Sequence, residues 1–174
     1  MKIYLTNLGR YNEGYLVGKW VKLPVCEEVL DKVLKEIGIN EYYEEYFITD
    51  YENDIVGIGD VISEYSSVQA LNELAQRLED LSADEADKLG AVLEYEACRS
   101  VSEVLELLDK LDEFDLLTDV TDDEELGYYY AEEYRCIDIP EHIQPYFDYE
   151  KFGRDVRLQS CCLFTSYGFL LDNR

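Results

Sequence analysis

Positive charge is scarce in this sequence. Fifteen Lys and Arg stand against forty Asp and Glu, a formal net charge of -25. The deficit runs the length of the chain: 12 acids to 6 bases over residues 1–60, 12 to 4 over 61–110, and 16 to 5 over 111–174. No segment is basic, which excludes a split-charge tail. Like-charge repulsion also argues against nucleic acid or an anionic membrane as a direct ligand. Long apolar runs are missing too. Nothing approaches the roughly 18 residues of a spanning helix, and no charged-then-apolar leader pattern follows Met1, so a cytoplasmic location is expected. Three Pro and ten Gly form no linker, and neither an internal repeat nor a low-complexity segment is present.

Reactive side chains are equally sparse. His142 is the single histidine, next to Pro140 in a loop-to-helix start, and reads as a surface or cap residue. The five cysteines, Cys26, Cys98, Cys136, Cys161 and Cys162, are odd in number and contain no C-x-x-C pair. They suit a reducing compartment and are expected as small core residues, with Cys161 and Cys162 packed in an apolar strand. A zinc site needs about four closely spaced Cys or His ligands, which are absent. "TDDEELG" (Thr121–Gly127) crowds acids near a glycine, yet lacks the alternating ligands and closing Glu of a calcium loop. "GIG" (Gly57–Gly59) lacks the spacing and Lys of a phosphate loop. Among forty acids a glycosidase pair can be nominated at will. No catalytic residue, metal or cofactor is therefore assigned, and the chain is read as a non-enzyme.

What is present is an unusual pairing. "NEYYEEYFITDYEND" (Asn40–Asp54) holds six carboxylates and five aromatic rings with no Lys or Arg. Charge alone predicts disorder, but 16 Tyr, 6 Phe and 47% hydrophobic residues predict a folded acidic surface. The rings are expected to anchor the strand to the core and hold the acids outward.

The pattern predicts an α+β fold. Lys2–Leu8 alternates as a strand, "YNEG" (Tyr11–Gly14) turns, and Tyr15–Pro24 is a second strand. Val25–Ile37 is a helix with Val29, Leu30, Val33, Leu34 and Ile37 on one face and Gly38 as its stop. Glu44–Glu52 is a third strand, with Tyr46, Ile48 and Asp50 on one side and Phe47, Thr49 and Tyr51 on the other. Asp54–Asp60 reads as a hinge. Four capping-box spacings then open four helices: Ser66/Gln69, Ser82/Glu85, Ser100/Glu103 and Thr121/Glu124. The first helix is expected to bury Val68, Leu71, Leu74, Ala75, Leu78 and Leu81, and the second Ala86, Leu89, Leu93 and Ala97. The third is expected to bury Val101, Val104, Leu105, Leu108 and Leu111. Phe114–Val120 is a short strand, and Asp122–Arg135 a helix with a tyrosine stripe. Pro140–Phe147 and Asp148–Leu158 are short helices, and Cys161–Asp172 a hairpin. The expected division is 1–60 (strand-strand-helix-strand), 61–112 (a central acidic helical bundle) and 113–174 (helices with a small sheet).

The carboxylates as a set carry the strongest chemical signal. On the helices they face away from the apolar stripe. Residues three or four apart on one face stand about 5–6 Å apart, and phosphates along one DNA strand stand roughly 7 Å apart. Acid rows on a rigid frame can therefore imitate a phosphate backbone. The nominated acids are Glu41, Glu44, Glu45, Asp50 and Glu52 around the third strand, then Asp84, Asp87, Glu94, Glu103, Glu106 and Asp109 on the central helices. Asp119, Asp122, Asp123, Glu124, Glu125, Glu132 and Glu133 follow in the last third.

Both ends of the chain resemble one family. "YLTNLGRYNEGYLVGKWVKLP" (Tyr4–Pro24) is similar to the amino-terminal signature of the ArdA antirestriction family, through Tyr11, Asn12, Gly14, Gly18 and Trp20. "EEYFITDYE" resembles that family's acidic strand, and "YFDYEKFGRDVRL" (Tyr146–Leu158) its carboxy-terminal tract, through Asp148, Tyr149, Glu150, Arg154 and Asp155. The stretch 61–119 matches only in acidic, helical character. The resemblance implies an elongated, three-domain dimer that mimics bent DNA. It implies occupation of the DNA groove of type I restriction–modification enzymes, at their methyltransferase core, with restriction and also modification blocked. It further implies carriage by mobile elements such as conjugative transposons. It assigns the motif residues to the fold, and exposed tyrosines of Gly127–Tyr134 are candidates for the dimer contact. The alternative is an acidic adaptor or inhibitor of another basic nucleic-acid-binding protein.

Overall fold

The computed structural model describes residues 1–174. It is α+β, with seven α-helices and two three-stranded antiparallel sheets. Packing gathers the chain into two units: Met1–Ala86 with Cys98–Leu108, and Asp87–Ala97 with Asp109–Arg174.

In the first unit β1 (Lys2–Asn7) is the middle strand, flanked by β2 (Gly18–Lys22) and β3 (Tyr46–Glu52). Ile3 and Leu5 point to the buried face, opposite Val21 and Lys19. The strict alternation expected along β3 is broken. Tyr4 faces Asp50 but Leu5 faces Ile48, so a bulge leaves Thr49 unpaired. The extra residue lets the neighbours Phe47 and Ile48 both be buried, as a bulge re-aims side chains on one strand. Thr49 Oγ1 instead meets the Thr6 hydroxyl at 2.8 Å. A short helix, α1 (Leu8–Asn12), replaces the beginning of the expected turn. Asn7 caps it: its side-chain oxygen accepts from Arg10 N at 2.9 Å, and its amide donates to Ile37 O at 3.1 Å. This buried polar residue is thereby satisfied, the condition for its burial.

Helix α2 (Glu27–Glu36) buries Val33 and is followed by buried Ile37. Val29 departs from the expected stripe. It shares the face of Val33 and Ile37, but it lies in the first turn of the helix and stands 49% exposed. The expected hinge is a 3-10 turn, Ile58–Val61, whose Ile58 and Val61 are buried; two apolar anchors fix it. Helices α3 (Val68–Glu79) and α5 (Val101–Leu108) pack on each other. They bury Val68, Leu71, Leu74 and Ala75, and Val101, Val104, Leu107 and Leu108. Leu107 thus takes a core place expected for the half-buried Leu105. Asn72 ties α3 to the segment before α2, accepting from Val25 N at 2.5 Å and donating to Val25 O at 3.1 Å.

The unit boundary falls within α4 (Ala83–Tyr95). This helix buries Leu89, Gly90, Ala91 and Val92, while Ala97, beyond its end, is exposed. In the second unit β6 (Gly168–Asp172) is the middle strand, between β4 (Phe114–Leu117) and β5 (Cys162–Thr165). Val120, Leu126 and Phe169 form its core, with Tyr129, Tyr130 and Phe164 packed around them. Helix α6 (Asp123–Tyr128) runs into a π-helical turn, Tyr129–Glu133, and crosses α7 (Tyr149–Gln159). Pro140–Phe147 is helical only as the 3-10 turn Gln144–Tyr146.

The capping boxes divide. Ser82 and Glu85 form a reciprocal box, Ser82 N donating to Glu85 at 2.8 Å and Glu85 N to Ser82 Oγ at 3.3 Å. Ser100 caps α5, but Glu103 accepts from Arg99 N at 2.7 Å rather than from Ser100. For α3 the cap is Ser67, not Ser66. For α6 it is Asp122, accepting from Glu125 N at 2.9 Å while Glu125 reaches back to Thr121 N at 2.8 Å. Where two capping residues are adjacent, the second won. The cysteines also differ from expectation: Cys26, Cys136 and Cys161 are exposed, and Cys162 is half-buried. Cys26 precedes a helix, Cys136 follows the π-helical turn and Cys161 precedes an edge strand, whereas Cys162 packs against the Val120, Leu126 and Phe169 core as expected.

Candidate functional site

The candidate site is a set of carboxylates, so the useful question is which acids the chain uses for itself. Around β3 many are compensated. Lys2 pairs with Glu52 at 2.7 Å, Arg10 with Glu13 at 3.0 Å, Lys19 with Glu36, and Lys22 lies 3.9 Å from Glu79. Lys2 holds Glu52 by a hydrogen bond that raises the lysine pKa, and Lys19 holds the Glu36 carboxyl below its usual range. Glu41, Glu44 and Glu45 stand exposed on the loop before the strand, and Asp50 on the strand itself. The loop is shaped by Asn40, whose side-chain oxygen accepts from Tyr42 N and Tyr43 N at 2.8 and 3.3 Å.

The rings divide in their role. Phe47 is buried and Tyr46 half-buried. Tyr43 lies under the Arg10 guanidinium, 4.5 Å from ring centre, and donates its hydroxyl to Glu13 at 2.8 Å. That bond pushes the Tyr43 pKa up. Tyr42, by contrast, is 90% exposed and anchors nothing. The backbone turns at Asn40 and only one ring of the Tyr42–Tyr43 pair can face inward.

On the central helices Asp84, Asp87, Glu103, Glu106 and Asp109 are all exposed. Glu94 is exposed as well, but its carboxylate takes the Ser166 amide at 2.8 Å and the Ser166 hydroxyl, holding the β5–β6 turn. Acids in first helical turns favour the positive end of the helix dipole, and Asp84, Glu85, Glu103, Asp123, Glu124 and Glu125 all occupy such positions. That alone does not explain the charge, because the matching device is missing: α4, α5 and α6 have no basic residue in their last turns. The other four helices do carry a base there, Arg10, Lys35, Arg77 and Arg157, so the lack is confined to α4, α5 and α6.

A group of acids without a neighbouring cation surrounds α6. A groove of about 630 Å³ has Leu116, Leu117 and Val120 among its lining, with Tyr128, Tyr129 and Tyr149. Asp119, Asp122, Glu124, Glu125 and Glu133 also line it, and no Lys or Arg does. Asp123 and Glu132 have internal work instead. Arg157 grips Asp123 through Nε at 2.7 Å and a second nitrogen at 2.9 Å, holding that carboxyl below its ordinary pKa. Glu132 accepts from the Tyr149 hydroxyl at 2.7 Å, which pushes the tyrosine up to about 12.

The α6 platform is fixed by a close helix crossing. A Cβ on Gly127 would lie 1.9 Å from Tyr149 O, and one on Gly153 1.8 Å from Asp123 O. Two glycines thus let the backbones touch where any side chain would force them apart. The sequence pattern does not predict this pair; one small residue in each of the segments Asp122–Arg135 and Asp148–Leu158 was the available signal. The motif residues support the local fold. Gly14 has φ +88°, and a Cβ on Gly18 would lie 2.7 Å from Leu5 O. Asp148 caps α7, accepting from Lys151 N at 3.0 Å. Glu150 follows in the first turn, and Arg154 and Asp155 lie exposed on the same helix. Tyr11 packs edge-on to Phe47, and Trp20 to Tyr4; Asn12 ends α1, exposed.

No group of three or more His, Cys, Asp or Glu is placed to hold a metal ion, and no helix is long and apolar enough to cross a membrane. What the fold presents is an α+β protein whose chemistry is carried by exposed, mostly uncompensated carboxylates. Its class is defined by comparison: the family model described as Antirestriction protein (ArdA) matches residues 3–171. The chain belongs to the ArdA antirestriction family, which is a family of inhibitor proteins. No curated protein matches the chain.

Proposed function

We propose that this protein blocks type I restriction–modification enzymes by occupying the groove that their methyltransferase core uses for DNA. Family membership supplies the antirestriction role; the mechanism is our reading. The observation that carries it is the groove beside α6, lined by five carboxylates and no cation. A DNA groove holds Lys and Arg that replace counterions on phosphates. Carboxylates on a preordered frame meet the same groups without base sequence, so enzymes with different targets share one inhibitor. The Gly127–Gly153 crossing keeps the ordering cost of binding low. Modification falls with restriction, because both need the same DNA contact.

The rest of this reading follows the family. The active species is a homodimer in the cytoplasm of a cell receiving a mobile element, and exposed Tyr134, outside the α6 groove, is available for the dimer contact. The division at 60 and 112 belongs to the same proposal. The test of function is competition. The protein should displace a labelled duplex from a type I methyltransferase core. Unchanged DNA occupancy at saturating protein would favour the adaptor reading instead.

A further inference from the structure

A second surface, on the first unit, has features that phosphate mimicry does not use. The open face of the β2-β1-β3 sheet is aromatic. Tyr4 and Trp20 stand opposite each other on neighbouring strands, rings edge-on at 5.3 Å. Tyr11 meets Phe47 at 5.2 Å. Between them is a recess of about 470 Å³, lined also by Leu16, Asp50 and Glu64. Packing leaves these side chains partly open: Trp20 is 38%, Tyr11 50% and Leu16 68% exposed. The charged groups lining the recess are both acids. Asp50 is steadied by Tyr51 N, which donates to its carboxylate at 2.8 Å. The lysines on this face stand outside the lining: Lys2 is engaged by Glu52, and Lys22 lies 3.9 Å from Glu79.

We infer that the Tyr4–Tyr11–Trp20 face is a docking site for an arginine side chain of a partner protein. Ring faces attract a guanidinium, Trp most strongly. A planar guanidinium also stacks and hydrogen-bonds to carboxylates at once, which an ammonium does not do. Asp50 and Glu64 supply those acceptors, and Leu16 covers the aliphatic stem. The α6 groove thus offers charge, and this face offers a shaped socket. The inference shares with the preceding reading a basic partner, but its test needs no restriction enzyme.

Trp20 is the only tryptophan, so its emission reports this face alone. The probes are hexa-arginine and hexa-lysine peptides without aromatic residues, added to the full-length protein. Hexa-arginine should change Trp20 emission saturably and shield the ring from acrylamide, with half-saturation about threefold or more below that of hexa-lysine. Joint Asp50→Asn and Glu64→Gln changes should raise that half-saturation about threefold. Joint Asp119→Lys, Glu124→Lys and Glu133→Lys changes, which challenge the α6 groove, should leave the preference for arginine intact. The inference is overturned by calorimetric binding without a Trp20 response, by equal response to both peptides, or by no binding. It is equally overturned if Trp20 emission shifts with protein concentration alone, which would place a second copy on this face.

Discussion

The sheet around β1 and the platform around α6 are both acidic, but they handle their charge in opposite ways. Around β1, four lysine or arginine side chains stand beside acids, from Lys2–Glu52 to Lys22–Glu79. Around α6 the one paired acid is Asp123, and five others line a groove without a cation. Exposed pairs of the first kind stabilise little, so their effect is chiefly to quiet the local field. The second region leaves its field intact and accepts the repulsion. The supports differ accordingly. Rings and a bulge shape the sheet, whereas a backbone-to-backbone crossing at Gly127 and Gly153 fixes the platform. The lesson is that equal acidity hides two arrangements, one with cations beside its acids and one without.

The largest effect is expected from the crossing. Gly127→Ala should cost about 3 kcal/mol or more, because the clash is with backbone, and DNA displacement should fail with it. Urea unfolding followed by circular dichroism measures the loss, and Trp20 emission should report the sheet region still folded. Next comes a matched pair of charge reversals. Asp119→Lys, Glu124→Lys and Glu133→Lys together should weaken displacement roughly tenfold or more. Glu13→Lys, Glu36→Lys and Glu52→Lys change net charge equally and should weaken it less. Equal losses would mean that total charge governs binding and the contrast between regions is empty.

A smaller effect is tied to pH. Arg174 holds Asp172 down to about 2, and Arg174 also reaches Glu96. A carboxyl lowered in the folded state stabilises fully above its unfolded value, near 4, and that contribution is lost as pH falls toward about 2. Asp172→Asn should therefore cost on the order of 1 kcal/mol at pH 7 and almost nothing at pH 2, measured by urea midpoints at both. The smallest contrast is between adjacent rings. Tyr42→Ala should stay within about 0.5 kcal/mol of the parent. Tyr43→Ala should cost more, since it loses the Arg10 and Glu13 contacts.

Local signals survived the test of structure better than distant ones. The strands at Lys2, Tyr46 and Phe114, the Cys161–Asp172 hairpin and the α7 helix follow from periodicity and turn residues within a few positions. Ser82/Glu85 was legible for the same reason. The box at Thr121 slipped by one because Asp122 is an equally good cap, and only packing chooses between them. The β3 bulge was hidden because alternation is read from one strand, and the bulge is made by two. Gly127–Gly153 was hidden because nothing local distinguishes a crossing glycine from a helix-ending one. At the site, the exposure of most nominated acids followed from opposing them to apolar stripes. The internal duties of Asp123 and Glu132 did not, since Arg157 and Tyr149 come from another helix.

The salt dependence of association with a type I methyltransferase core tests the central claim most directly. If carboxylates replace phosphates, log K should fall steadily as log salt rises. The slope should flatten when Asp119, Glu124 and Glu133 are neutralised to Asn and Gln. An affinity indifferent to salt, or a slope unchanged by removing those three charges, would contradict the account.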